Sequence, residues 1–531
     1  MENLKYLNKH TLKKEALTLG FLFLFFSVSA QQERFNVRFD SGFPNTLLTS
    51  VIEVEDGYVS TGFLGDSISN ARPMIFAKFD YEGNLLFQEV HGSGGTDYFS
   101  SQSPDLNFLN DTTLMHSGIT YDSEGVRQGY IAQFNLDGDS LQVFRYYSPN
   151  ADPEFTFFSA LRVIKSANDN LLFLAGFVQE NTGNDILIWK LQQNGDIAWQ
   201  YVYATEQIYD YCRVIIPTDD GGVIAIAKIG LLGEEPDFHH VFKLDADGEL
   251  DWEFESEANH LTGAVSDGIL VDNHFVLATS VPNEQYTGTG GIPAVMKMDM
   301  EGEQLWVTPI WENQYHYNHG VRKVLLAEDG NYVAAGWRYE ILDEPNDTSG
   351  TFNDLAWISK LNSETGEILW TRYYQYLDLP FEKHRLYDMR NTSDGGFIFC
   401  GQSLDLWPGA ELTDPPYQQG WLVKLDEYGC LVEGCEEFDI AVEESRPQQV
   451  QFFKAGPNPA SEVLHIYQTQ QLDKNATYTI TDLHGKVIQQ FTAPQANTTL
   501  ILNVDSWTSG TYALSLSENN KLLQSEKIVV R

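Results

Sequence analysis

The stretch LIWKLQQNGDIAW at 187–199 decides the fold, because the chain writes it seven times. Each copy is an apolar strand, a lysine, a turn that contains glycine, and then a second strand that begins apolar or aromatic. The lysine position is filled by Lys78, Gln133, Lys190, Lys243, Lys297, Lys360 and Lys424, at gaps of 55, 57, 53, 54, 63 and 64 residues. The turn glycine follows five residues later at Gly83, Gly138, Gly195, Gly248, Gly302 and Gly429, and six later at Gly366. Trp199, Trp252, Trp306 and Trp370 stand four residues beyond their glycines. A repeat of this length, all strand and turn, is the signature of a β-propeller blade.

A second phrase precedes each first one. An Asp-Gly or Asp-Asn pair separates two apolar runs at Asp56-Gly57, Asp169-Asn170, Asp220-Gly221, Asp272-Asn273, Asp329-Gly330 and Asp394-Gly395, with Asp111 in the second copy. Such pairs accept the positive φ of tight hairpins. A small residue follows, as at Gly62, Gly118, Gly176, Ala227, Thr279, Gly336 and Gly401, and the expectation is that it lets neighbouring blades crowd the axis. Each copy therefore reads as two hairpins, hence four strands. The seventh lacks its outermost strand, because CLVEGC (430–435) stands where an aromatic strand is due. Arg34-Phe35-Asn36-Val37-Arg38-Phe39 has the missing alternation and is expected to close the ring by pairing into that blade, leaving no open edge.

From Phe452 the pattern changes to shorter alternating strands. The phrases Pro457-Asn458-Pro459, Asp482-Leu483-His484-Gly485-Lys486 and Ser509-Gly510-Thr511-Tyr512 occur in that order. Together they resemble the C-terminal sorting domain of type IX secretion cargo in Bacteroidetes. The resemblance implies a small β-sandwich recognised by the type IX machinery at the outer membrane and removed during export. Pro457, Asn458, Pro459, Gly485, Gly510 and Tyr512 would shape turns and strands of this signal, with no catalytic role. The N-terminus fits export: Lys5, Lys9, Lys13 and Lys14 precede an apolar run from Leu17 to Val28, and Val28-Ser29-Ala30 supplies a cleavage site. The run is shorter than the ~20 residues a spanning helix needs, and no membrane span is expected in the mature chain.

The expected fold is all-β: a signal peptide at 1–30, a seven-bladed β-propeller at 31–437, an acidic linker at 438–450, and an immunoglobulin-like β-sandwich sorting domain at 451–531. The repeats also resemble those of secreted propellers that carry such a domain and, at LNSETGEILW (361–370), quinoprotein-type propellers.

The chain holds 33 basic and 75 acidic residues, a net charge of −42. The stretch from 448 onward carries six of each sign, so the excess lies in the repeat region. Such a surface excludes nucleic acid and anionic membrane as partners and suits solubility outside the cell. Cys430 and Cys435 flank a short polar stretch and are expected to form a disulfide in an oxidising compartment. Cys212 and Cys400 sit in apolar strands and read as buried small hydrophobes.

In a propeller the two hairpin turns of each blade lie on one face and the longer connections on the other. Here the long segments include 203–211, 229–240, 311–319, 338–354, 373–384 and 402–420. Loops of this kind on a rigid scaffold carry function. The candidate ligand face is accordingly Tyr209, Tyr211, Tyr315, His316, Tyr317, His319, His384 and Trp407. Aromatics with polar edges suit glycan or protein partners, while the bland alternative has them pack the loops onto the blades. Arg162, Arg213 and Arg322 fall on strands that line the axis, and pairing with carboxylates ranks above gripping an anion. No phosphate loop, Gly-x-Ser-x-Gly or HExxH occurs, and no catalytic, cofactor or metal residue is assigned. Calcium is the one cation suggested, by Asp245, Asp247, Glu249 and Asp251, although Asp and Gly belong at such a hairpin anyway. The favoured function is a binding or adhesion module for an unknown glycan or protein. The alternatives are a carbohydrate hydrolase or lyase using loop carboxylates, and then a quinone-dependent dehydrogenase.

Overall fold

The computed structural model describes residues 33–65, 72–92, 99–100, 106–122, 126–147, 157–167, 171–180, 183–203, 210–229, 238–255, 265–282, 291–310, 320–341, 352–376, 383–404, 418–432, 435, 452–472, 475–482, 486–496, 498–519 and 521–531. The segments 1–32 and 438–450, and with them Tyr209, Tyr315, His316, Tyr317, His319, Trp407 and Gly485, lie outside the described residues.

Seven antiparallel units follow one another as blades 1 to 7, at 45–91, 99–146, 157–203, 211–255, 267–309, 320–374 and 383–425. Consecutive strands pair in order, as in Phe157–Lys165, Leu172–Glu180, Gly183–Leu191 and Ile197–Tyr203 of blade 3; in blade 2 the innermost strand is split, Phe99–Ser100 and Asn107–Asn110 both pairing with Thr113–Tyr121. The fourth strand of blade 7 is Phe35–Phe39, which pairs antiparallel with Gln418–Leu425, Phe35 opposite Lys424 and Phe39 opposite Gly420. Trp421 Nε1 donates to Asn36 Oδ1 at 2.7 Å inside this closure. The third strands are almost wholly buried because both of their faces meet other blades; Met74–Phe79 has no exposed position.

The repeated glycine explains how blades adhere. All seven turn glycines hold φ between +72° and +88°, a conformation that disfavours a side chain. Each lies under an aromatic ring of the preceding blade. A Cβ built on Gly248 would fall 2.6 Å from the Trp199 ring, on Gly366 2.7 Å from Trp306, and on Gly429 2.7 Å from Trp370. Phe144 covers Gly195 and Phe254 covers Gly302 in the same way. Phe87 stands over Gly138, and Phe35 of the closing strand covers Gly83, completing the ring. The outer strands also satisfy the turn carbonyls: Tyr146 Oη donates to Gly195 O at 3.1 Å and Tyr374 Oη to Gly429 O at 2.7 Å.

The repeated lysine has a partner as well. Lys78 pairs with Asp56 at 2.9 Å, Lys360 with Asp329 at 2.8 Å and Lys424 with Asp394 at 2.9 Å, and Lys243 pairs with Asp220. In each case the aspartate belongs to the first hairpin turn of the same blade. The two sequence phrases are thus halves of one contact. Lys190 and Lys297 instead donate to the next blade, at Gly221 O (2.8 Å) and Ser363 O (3.0 Å).

The small residues after the Asp-Gly turns have a different cause from the one the sequence suggested. A Cβ on Gly62, Gly336 or Gly401 would strike Leu47 O, Gly320 O or Arg385 O at 1.8–2.0 Å. Those carbonyls belong to the innermost strand of the same blade, where the pairing shifts between Leu48 and Ser50, Val321 and Lys323, and Leu386 and Asp388. A β-bulge in the partner strand, rather than the adjoining blade, demands the glycine.

Residues from 452 onward form a separate two-sheet sandwich. One sheet orders Phe453–Gly456, Val463–Gln468 and Thr498–Asn503; the other orders Val487–Thr492, Thr477–Asp482, Gly510–Glu518 and Lys521–Val530. Leu464, Ile466 and Leu502 of the first meet Tyr478, Ile480, Leu514 and Ile528 of the second in one core. Cys430 and Cys435 are disulfide-bonded after blade 7, and Cys212 and Cys400 are buried thiols.

Phe35 is 1% exposed and both closes blade 7 and covers Gly83. Phe35→Ala is expected to lower stability by about 3–5 kcal/mol, the usual range for truncating a buried phenylalanine. Equilibrium denaturant unfolding of the variant against the parent chain checks this.

Candidate functional site

Two regions could carry chemistry: the axis, and the face that bears the long segments. At the axis the innermost strands turn charged side chains inward. Arg162 Nη1 (blade 3) bonds Asp267 Oδ1 (blade 5) at 2.9 Å. Lys323 Nζ (blade 6) stands 3.2 Å from Asp267 Oδ2 and 3.7 Å from Asp388 Oδ1 (blade 7). Arg390 Nε reaches Asp388 Oδ2 at 3.3 Å, and its Nη2 donates to Leu106 O of blade 2 at 3.2 Å. Backbone amides complete the set: Val324 donates to Asp267 and Val51 to Asp388. Asp267, Lys323 and Asp388 are at most 2% exposed.

Burial alone would raise the Asp267 carboxyl, but Lys323, Arg162 and the Val324 amide outweigh it and hold it below the ordinary aspartate value. Burial pushes the Lys323 ammonium down despite Asp267 and Asp388. Arg162 therefore answers a carboxylate of its own protein. The side chains of Arg213 and of Tyr211 are not described; Tyr211 opens the innermost strand of blade 4, its backbone opposite Lys228.

On the other face, at the seam where blade 7 meets blade 1, lies a cavity of about 440 Å³. It is formed at the ends of strands that all reach this face. Arg72, Lys383 and Arg385 line it together with the amides of Asn45, Gln402 and Gln418. Phe63 and Tyr387 supply ring surface. The seam is tied by Gln418 Nε2, which donates to Thr46 O at 3.4 Å. Arg385 lies over the Trp337 ring at 4.5 Å and pairs with the buried Asp354. Burial raises the Asp354 carboxyl above its ordinary value, although Arg385 and Lys383 pull it down.

His384, placed on the ligand face by the sequence, is fully buried instead. It meets Trp421 edge-on at 5.2 Å, and burial followed by the Arg38 charge holds its imidazole well below the ordinary value. Strand alternation is the reason: successive side chains point to opposite faces, so His384 turns into the blade while Lys383 and Arg385 on either side reach the cavity. In the run Lys383-His384-Arg385 it is the two flanking side chains, not the central one, that line the cavity.

The calcium string resolves into local contacts. Asp245 Oδ1 accepts from the amides of Asp247 and Glu249, and Asp251 pairs with Lys243. Among the described residues no group of His, Cys, Asp or Glu is gathered as a metal site.

In the C-terminal sandwich the Pro457-Asn458-Pro459 turn is stitched to the last strand. Asn458 Nδ2 donates to Lys527 O at 2.7 Å, and Val529 N donates to Asn458 Oδ1 at 2.8 Å. Tyr512 Oη donates to Thr508 O while its ring meets Trp507 at 5.1 Å. Residues 454–531 match the family described as the secretion system C-terminal sorting domain. This domain is a type IX sorting signal. The sorting domain places the protein beyond the outer membrane, secreted or at the cell surface. It covers the C-terminal sandwich alone.

No curated protein matches the chain. Solved structures similar to it, two of them described as propellers, share little sequence. The Dos1 propeller is 8% identical, covers 74% of this chain and 95% of its own, and has a TM-score of 0.41. The β-propeller domain of the Trilobed protease from Pyrococcus furiosus is 10% identical, with coverage of 75% and 99% and a TM-score of 0.39. A protein of unknown function from Dyadobacter fermentans is 11% identical, with coverage of 74% and 98% and a TM-score of 0.38. The likeness is one of fold alone.

Asp267→Asn leaves Arg162 and Lys323 facing a neutral amide at the axis and is expected to cost about 3–5 kcal/mol at neutral pH. Because the folded carboxyl lies below its unfolded value, its contribution is full above the unfolded value and fades as pH falls through the folded one. Acid unfolding of the variant should accordingly be less steep below about pH 4, as a pH series of denaturant midpoints would reveal. Asn458→Ala removes two bonds to the last strand and should destabilise the sorting domain by about 1–3 kcal/mol, measurable as a lower melting temperature of that domain's transition.

Proposed function

We propose that the protein is an exported binding module whose propeller presents the face of long segments to a glycan or protein ligand outside the cell. The seam cavity carries this reading. It offers cations, amides and ring surface together at the surface, on the face where loops gather. The axial charges are engaged with one another inside the ring. The apolar run and small-residue cleavage site at residues 17–30 support export from the other end of the chain.

The test is incubation of the purified chain with a panel of neutral and acidic polysaccharides, following both the thermal midpoint and the appearance of new reducing ends. A ligand that binds only the folded state raises the midpoint by mass action. The expected result is a raised midpoint with at least one polysaccharide and no new ends. New ends would identify a carbohydrate-active enzyme and overturn the reading. A midpoint unmoved by every polysaccharide would remove the glycan and leave a protein ligand to be sought.

A further inference from the structure

A second cavity, of about 230 Å³, lies between blades 1 and 2, and the neighbouring seams show what fills that place elsewhere in the ring. His91, Tyr146, Tyr203 and Tyr374 each stand eight residues after a turn glycine, at the end of an outermost strand. Tyr146 and Tyr374 donate to the turn carbonyl of the next blade, Gly195 O and Gly429 O. His91 Nε2 makes the same bond to Gly138 O at 3.1 Å. The residue before the anchor position of the next blade is Trp189 in blade 3 and Phe242 in blade 4, but Ala132 in blade 2. Tyr146 meets Trp189 at 5.2 Å, and Tyr203 meets Phe242 at 6.0 Å. Between blades 1 and 2 this pair of rings is reduced to an imidazole and a methyl group, and both His91 and Ala132 line the cavity. We propose that the cavity is a binding site for one aromatic ring that carries a hydroxyl, supplied by a free phenol or by a tyrosine side chain of a polypeptide.

The walls fit such a ring. Tyr130, Ala132 and Phe134 alternate along the third strand of blade 2 and so share one face. Across the seam, Met74 Sδ accepts from Tyr130 Oη at 3.8 Å, and the His91 ring meets Phe134 at 5.0 Å. Rings and a thioether favour an aromatic guest over an aliphatic one of equal size. An apolar cavity of ~150 Å³ takes up benzene, whereas drug-sized ligands fill roughly 300–1,000 Å³. At about 230 Å³ this space suits a single ring rather than an oligosaccharide. Ser140 lines it and is exposed, so the cavity borders the molecular surface.

His91 supplies the polar contact. Gly138 O can only accept, so Nε2 carries the proton and the neutral ring keeps Nδ1 as an acceptor. Burial lowers the imidazole below its ordinary value, against the Gly138 bond and two nearby carboxylates, and so keeps it neutral. Among the described residues nothing bonds Nδ1, which leaves it for a ligand hydroxyl. The site does not depend on the long-segment face, so the two readings fail separately.

Titration calorimetry of the full chain with p-cresol, with 4-methylcyclohexanol, and with the peptides Gly-Tyr-Gly and Gly-Leu-Gly tests the proposal. Ala132→Trp and His91→Tyr each restore one ring of the next seam and fill the cavity. A melting temperature at or above that of the parent chain confirms their folding, and His91→Tyr carries the test should Ala132→Trp misfold. p-Cresol is expected to bind saturably, at least tenfold more tightly than 4-methylcyclohexanol, and each folded variant should weaken it at least tenfold. Gly-Tyr-Gly binding that the variants lose, with no binding of Gly-Leu-Gly, would assign the ring to a polypeptide; p-cresol binding alone would assign it to a free phenol. Equal binding of 4-methylcyclohexanol would overturn the aromatic assignment. Binding of p-cresol that the folded variants retain in full would overturn the site, and the absence of binding by both p-cresol and Gly-Tyr-Gly would overturn the proposal outright.

Discussion

Each blade of this propeller is held to the next by an aromatic ring lying on a turn glycine. The glycine must lack a Cβ twice over: its φ is positive, and the ring occupies the space a side chain would need. The ring in turn stands on the outermost strand because only there can it reach across to the following blade. From this one contact follow the near-constant interval between lysine and glycine, the aromatic at or near four residues further on, and the need for a closing strand. Without Phe35, Gly83 would have no cover and the ring would end in two unmatched surfaces. Aromatic side chains bury about 150–250 Å² each, so seven such contacts account for a large share of the apolar surface between blades.

Charge is sorted by depth. In four of the blades the lysine of the repeat and the aspartate of the first hairpin neutralise one another on the hairpin face. At the axis, five charged side chains from four blades form a single network in which each charge has an opposite within reach. Breaking such a network costs more than forming it yields, so it constrains the relative placement of blades more than it stabilises them. On the opposite face Arg72, Lys383 and Arg385 line the seam between blades 7 and 1.

How much of this was legible in the sequence depended on whether a feature repeats. The lysine, the turn glycine and the aromatic recur with a period, so blade number and strand count could be read. That Lys424 would find Asp394 could not, since it requires knowing that the third strand lies beside the first hairpin. The axial network joins positions 162, 267, 323, 388 and 390; the first four hold the same place in their blades, opposite Ala175, Ala278, Ala335 and Cys400, but the residue type changes there from blade to blade, and the pairing exists only when the ring closes. His384 turns into the blade rather than onto the surface, because the alternation of an unaligned strand end cannot be phased without its partner. The small residues such as Gly401 were recognised as crowded, but their crowding comes from a bulge, an irregularity that leaves no mark in composition. The seam cavity draws on strands at opposite ends of the repeat region, beyond the reach of any local motif.

The closing strand also imposes a timetable. Asn36 and its partner Trp421 are 385 residues apart, so the first of the described strands to be synthesised is the last to be used. At 5–20 residues per second, roughly 20–80 s separate the two, and bringing such distant segments together costs about 5 kcal/mol in loop entropy. Through that interval the third strand of blade 7 has not yet been made, and blade 1 lacks the aromatic cover of Gly83. A nascent chain of this protein is therefore an incomplete ring with an exposed flank at each end, vulnerable to proteases and to pairing with its neighbours until its two extremities meet.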